Sequence, residues 1–147
     1  MTASVNVTDL PLSAALGLKD APANADHVLE MPVGDLTQNH VGSVHAAAQF
    51  ALAEAASASA LQRAFPELAN RVVAVVRGVS LKYRRPATTR LRAFAWPDEA
   101  TRARLVGDLA QRVNARAVVH VELKDDTGQL TFAGDFVWFV SRQSESV

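Results

Sequence analysis

The chain has no cysteine and only one tyrosine, two tryptophans and two methionines in 147 residues. Without cysteine there is no disulfide, no thiolate nucleophile and no Cys-ligated metal, and the composition suits a reducing compartment. Net charge is lacking too, because fifteen Lys and Arg balance fifteen Asp and Glu. No field of one sign therefore recommends a nucleic acid or an anionic membrane as partner. No apolar run reaches the roughly 18 uncharged residues that cross a bilayer. The start has no basic segment followed by an apolar core, so no signal peptide is expected. A P-loop, a nucleotide-binding Gly fingerprint and a Gly-x-Ser-x-Gly elbow are all missing. So are internal repeats, low-complexity runs and interdomain linkers. What is left is one globular domain over 1–147, expected to be cytoplasmic and flexible at 1–8 and 141–147.

The informative stretch runs from Asn39 to Glu54. A polar loop holding Asn39, His40 and Gly42 leads to Ser43, an expected N-cap. From Val44 to Leu61 there is no Gly or Pro, and Ala stands at 46, 47, 48, 51, 53, 55, 56, 58 and 60. That composition predicts a helix of small radius, with few polar positions, enclosed by the rest of the chain. Glu54 lies in the middle of it. An ionised carboxylate is costly to bury without partners, so this one calls for an explanation.

The remaining elements follow from periodicity and turn residues. A short helix is expected over Leu10–Leu18 and a loop over Lys19–Asp26, then a strand over His27–Val33. Pro66 ends the central helix at the latest. Strands are expected at Arg71–Tyr83, with Gly78 marking a bulge, and at Thr89–Trp96. A second helix spans Asp98–Val113, with acids in its first turn. Two further strands, Ala115–Lys124 and Gln129–Val140, are joined by the hairpin turn Asp125-Asp126-Thr127-Gly128. Short links between neighbouring strands imply an antiparallel sheet, hence an α+β fold.

The run Asn39, Gly42, His45, Phe50, Leu52, Ala53, Glu54 resembles the hotdog-fold acyl-CoA thioesterases of the phenylacetate-pathway type. Their run is Asn, then His-Gly-Gly, then Phe-x-Leu-Ala-Asp/Glu. Leu81-Lys82-Tyr83-Arg84-Arg85-Pro86 is similar to the family's strand ending in an aromatic residue and Arg-Pro. The resemblance implies a hotdog fold, in which an antiparallel sheet wraps a long central helix. It implies an acyl-CoA or other acyl-thioester substrate, no cofactor, and a homodimer or dimer of dimers. Carried over by position, Glu54 matches the acid that activates or orients water, and Ala47 the residue whose amide polarises the carbonyl. Asn39 matches a polar residue holding water or substrate, and His45 the His before the Gly pair. Gly42 and Ala46 belong to the same expected substrate surface. Ala46-Ala47 stands where the family has Gly-Gly, so two methyl groups face the incoming thioester.

Thioester hydrolysis needs donors for a developing oxyanion and a base for water. Helix N-terminal amides and a half-buried carboxylate can supply these. Ala47 and Glu54 lie seven residues apart, about 10 Å along a helix. A dimer that sets the helices antiparallel would bring the acid of one chain to the amides of the other, and strand Val72–Val79 suits pairing across the two-fold. The helix start around Ala46 and Ala47 is expected to line a pocket. Other readings stand beside these. Glu54 could be a structural carboxylate bonded to backbone or Arg, His45 a neutral scaffold residue, and Asn39 a turn former. Arg84 and Arg85, with Arg77 and Lys82, could receive CoA phosphates or form a solvated strand end. His27 and His40 have no metal-like spacing, and no metal is expected. The alternative functions are a hotdog acyl-thioester hydratase or dehydratase, and a non-catalytic acyl-binding protein.

Overall fold

A computed structural model describes residues 5–144 of the chain. The elements are α1 (Pro11–Ala15), β1 (Lys19–Asp20), β2 (Leu29–Met31), α2 (Ala46–Ala64), β3 (Val72–Tyr83), β4 (Leu91–Pro97), α3 (Glu99–Gln111), β5 (Asn114–Lys124) and β6 (Leu130–Arg142). The strands form one sheet in the order β1-β2-β4-β5-β6-β3, every pairing antiparallel. Helix α2 packs on β2, β4, β5 and β6, so the sheet encloses it as the Ala-rich composition predicts. Small side chains let the helix sit close: Leu52, Ala53 and Ala56 are fully buried against a sheet face carrying Leu29, Leu91, Ala93, Val119, Val121, Leu123, Phe132 and Phe136.

The hairpin turn forms as expected. Asp125 Oδ1 accepts from the Thr127 amide and hydroxyl and from the Gln129 amide, at 2.9, 2.6 and 3.0 Å. The Thr127 hydroxyl is the main reason its carboxyl stays below the usual range. Gly128 takes a positive φ of 82°, which a residue with a Cβ rarely adopts. The expected bulge is also present, as a register shift between Val76 and Gly78 in β3. Asp98 caps α3 by accepting from the Thr101 amide at 2.7 Å.

Several boundaries differ from expectation. The strand expected over His27–Val33 shrinks to three residues, and Lys19–Asp20, expected as loop, adds a short strand at the edge of the sheet. Within the segments expected to be flexible, the described residues take defined conformations. Asn6 caps a 3-10 turn over Val7–Asp9 and Val7 is buried. At the other end β6 runs on to Arg142, and the Gln143 amide donates to Arg71 O at 2.8 Å. Apolar burial and backbone pairing outweigh the polar sequence at both places. The rest of those expected flexible segments, residues 1–4 and 145–147, lies outside the described residues.

One close approach sets how β6 meets β3. A Cβ on Gly134 would stand 2.8 Å from Leu81 Cβ and 3.0 Å from Ser80 O. The expected result for Gly134→Ala is therefore a loss of about 1–3 kcal/mol from a forced backbone shift. A urea midpoint that does not fall would contradict it.

Candidate functional site

Helix α2 starts two residues later than predicted. Its N-cap is His45, not Ser43, and the reason lies in the loop. The Asn39 Oδ1 accepts from the Val41 and Ser43 amides at 3.1 and 3.0 Å, and its Nδ2 donates to Ser43 Oγ at 2.8 Å. Ser43 is thus engaged by the loop and cannot cap the helix. The Val44 and His45 amides donate to Ala87 O and Thr37 O, both at 2.7 Å. Backbone φ/ψ of −59°/137° then places the His45 ring over the first turn, where Nδ1 accepts from the Ala47 amide at 2.9 Å. Because Nδ1 accepts, the ring is the neutral tautomer with its proton on Nε2. A cation there would also oppose the helix dipole.

This cap corrects the expectation that the Ala47 amide is free. The amides of Ala46 and Ala48 have no hydrogen-bond partner among the described residues, and Ala46 is exposed whereas Ala48 is buried. Sequence reasoning could not assign the open amide, because a His at the cap competes for one of them and the ring orientation decides which. It also missed Tyr83, whose hydroxyl donates to Ala46 O at 3.0 Å and ties the end of β3 to the helix start. Gly42, at a positive φ of 80°, completes the loop. Arg84 and Arg85 follow Tyr83, exposed and without an ion pair to a described residue. The structure therefore gathers Asn39, Gly42, His45, Ala46 and Ala47 at one end of α2, with the Arg84–Arg85 segment linked to it through Tyr83.

Glu54 is elsewhere. It lines a groove of about 680 Å³ running beside the second half of α2, bordered by Ala55, Ala58, Leu61, Phe65, Val72 and Trp138. Ala46 and Ala47 are not among the residues lining this groove; both are exposed, about two turns away along the helix. The Glu54 carboxylate makes no hydrogen bond or ion pair with a described residue, and burial raises its pKa above the ordinary carboxyl value. Its backbone is fixed instead. Ser57 Oγ donates to Glu54 O at 2.7 Å and accepts from Trp138 Nε1 at 3.0 Å, locking β6 to this turn of the helix. The carboxylate is half-buried, without a partner among the described residues, and carried on the long helix α2. The acid and the exposed Ala46 amide thus sit eight residues apart on one helix, about 12 Å along its axis, in two separate places of a single chain.

Comparison with known proteins gives the family and the fold. A family model described as a domain of unknown function (DUF4442) matches residues 22–140, and the chain belongs to that family. No curated protein matches the sequence. Among solved structures, one from Pseudomonas aeruginosa, named a protein of unknown function and probable thioesterase, aligns with a TM-score of 0.78 at 24% identity, over 93% of this chain and 91% of that one. A Bacillus halodurans protein solved with CoA aligns at 0.68 and 22% identity, over 88% and 74%. A Staphylococcus aureus thioesterase aligns at 0.67 and 19% identity, over 88% and 98%, in a variant with one Gln changed to Ala. The same protein was also solved with a Glu fifteen positions later changed to Ala. The fold is the hotdog: an antiparallel sheet around one central helix.

Proposed function

We propose that this DUF4442 protein is a hotdog thioesterase that hydrolyses acyl-CoA at a site shared between two subunits. The observation that carries the proposal is the unpaired, half-buried Glu54 carboxylate on the wall of the groove. A structural carboxylate would be bonded to backbone or Arg, and this one is bonded to neither among the described residues. Its raised pKa suits a general base. In the proposed reaction a water oxygen attacks the thioester carbonyl while Glu54 takes the water proton. The oxyanion gathers against the amide of Ala46 in the second subunit, with the Nε2–H of His45 beside it. The carbon–sulfur bond then breaks, and the leaving thiolate takes the proton back from Glu54. Products are the free acid and CoA. Asn39 shapes the loop that exposes Ala46, and the exposed Arg84 and Arg85 would bind CoA phosphates.

Two subunits are needed because one chain keeps the acid and the amide apart. The twelve-residue β3 forms one edge of the sheet, and an edge of that length suits pairing with a second copy. Support also comes from the relatives. Two are called thioesterases and one was solved with CoA. The two positions altered in the S. aureus enzyme are fifteen apart, the separation of Asn39 and Glu54. A hydratase would want a His beside the acid, and no His lines the groove among the described residues. The non-catalytic acyl-binding reading draws on the exposed Ala46 and Ala47 methyls, which narrow the approach to the amide.

Hydrolysis across an acyl-CoA panel, with Glu54→Ala as control, tests the proposal. No turnover on any member would remove it.

Its pH dependence has a defined sign. Burial makes ionising Glu54 harder in the folded chain than in the unfolded one. Glu54's own contribution to folding stability is therefore most favourable below the ordinary carboxyl pKa and declines as pH rises from there through the raised one. Turnover moves oppositely, rising through that same window as the base forms. Paired urea and kcat/KM profiles should show this crossing, and Glu54→Gln should abolish both Glu54-linked components. A rate independent of pH there would exclude Glu54 as the base.

A further inference from the structure

The groove beside Glu54 has a shape and a lining that say more about the acyl group than the reaction requires. Its helix wall is built from Glu54, Ala58 and Leu61, spaced four and three residues apart on one face, and continues to Phe65, which caps the helix C-terminus. From first to last they cover eleven residues, about 16 Å along the axis. On the helix wall the small Ala55 and Ala58 follow the carboxylate, with Trp138 also lining the groove near this turn, and Phe65, Leu68, Asn70 and Val72 line it further along. No Lys, Arg or His is among the described lining residues. Nothing there would neutralise a second carboxylate or a phosphate, so the end remote from Glu54 suits an uncharged hydrocarbon terminus. A volume of about 680 Å³ is within the usual range for small-molecule sites, about 300–1,000 Å³. An acetyl or phenyl group would reach about one turn of helix and leave the rest of the apolar wall wet.

We propose that the groove receives a straight-chain acyl group of about ten to twelve carbons, lying along α2 with its carbonyl end at Glu54; this rests on the thioester site proposed above. The small residues admit the chain beside the helix, and Phe65 and Leu68 meet its methyl end. The length of that apolar wall, not the loop at the helix start, sets the preference.

The test uses S-alkyl-CoA thioethers of two to about sixteen carbons, which bind without being hydrolysed. Titration calorimetry should show Kd falling at least about threefold for each added pair of methylenes up to ten or twelve carbons, then levelling off. Ala58→Trp, one turn from Glu54, should weaken S-dodecyl-CoA at least about tenfold more than S-ethyl-CoA. Should that variant fail to fold, Ala69→Trp at the exposed far end should lower the ratio of the two affinities at least about threefold. Equal Kd for S-ethyl-CoA and S-dodecyl-CoA would overturn the proposal, as would a variant that folds and leaves their ratio unchanged. Length-dependent thioether binding without any thioester hydrolysis would support the groove and remove the hydrolase reading. Hydrolysis with a flat length profile in binding would do the reverse.

Discussion

Exchanging Glu54 for Gln is expected to lower turnover of the best acyl-CoA roughly 100-fold or more while the protein stays folded. Gln keeps the size of the side chain and cannot take a proton from water. The structure makes this a clean exchange. Glu54 has no hydrogen-bond or ionic partner among the described residues, so no buried donor loses its acceptor. Burial already disfavours its charge, so removing the charge should leave the melting temperature equal or higher near neutral pH. The lock between Ser57, Trp138 and the Glu54 carbonyl involves backbone and survives the change. A structural carboxylate predicts the opposite pairing, with stability lower by about 1–3 kcal/mol and activity per folded molecule intact. The measurement is therefore a melting curve and a rate on the same sample. Unchanged turnover in a normally folded variant would sink the general-base assignment.

Ala46→Pro should have an effect of similar size from the other half of the site. Proline removes the amide proposed to hold the oxyanion, and Ala46 is the first residue of α2, where proline fits a helix best. His45 before it, at φ/ψ −59°/137°, has the extended backbone a following proline requires. No existing hydrogen bond is lost. The fold should be retained, with turnover down roughly 100-fold. The two variants together test whether the site is shared. Each alone should be inactive, yet mixing them after mild unfolding should form hybrid dimers in which one site has both an intact Glu54 and an intact Ala46 amide. Random exchange would restore about a quarter of the parent rate, since half the dimers are hybrids with one good site of two. Mixed dimers that regain no activity would show that each subunit works with its own acid and amide. Sedimentation showing monomer alone at micromolar concentration would remove the shared site outright.

The sequence by itself determined the architecture and singled out one acid. The alanine run from 46 to 60 predicted a long enclosed helix because small, helix-favouring residues leave no polar face for water. Alternation in β5 and β6 and the Asp125–Gly128 turn predicted the hairpin, since side-chain period and turn chemistry are local properties. Glu54 stood out because a single charge in such a segment is costly, whatever surrounds it. Tertiary structure decided how the helix begins, because several acceptors compete there for a few amides. Asn39 engages Ser43, Ala87 O and Thr37 O take the Val44 and His45 amides, and the His45 ring takes that of Ala47, which leaves Ala46 open. It also decided that Val7 is buried and Arg142 ends β6, that Tyr83 meets Ala46 O, and that Glu54 lines a groove. Each of these depends on contacts between residues far apart in the chain. A one-dimensional pattern shows which groups need a partner; the packing of the sheet around α2 determines which partner each receives.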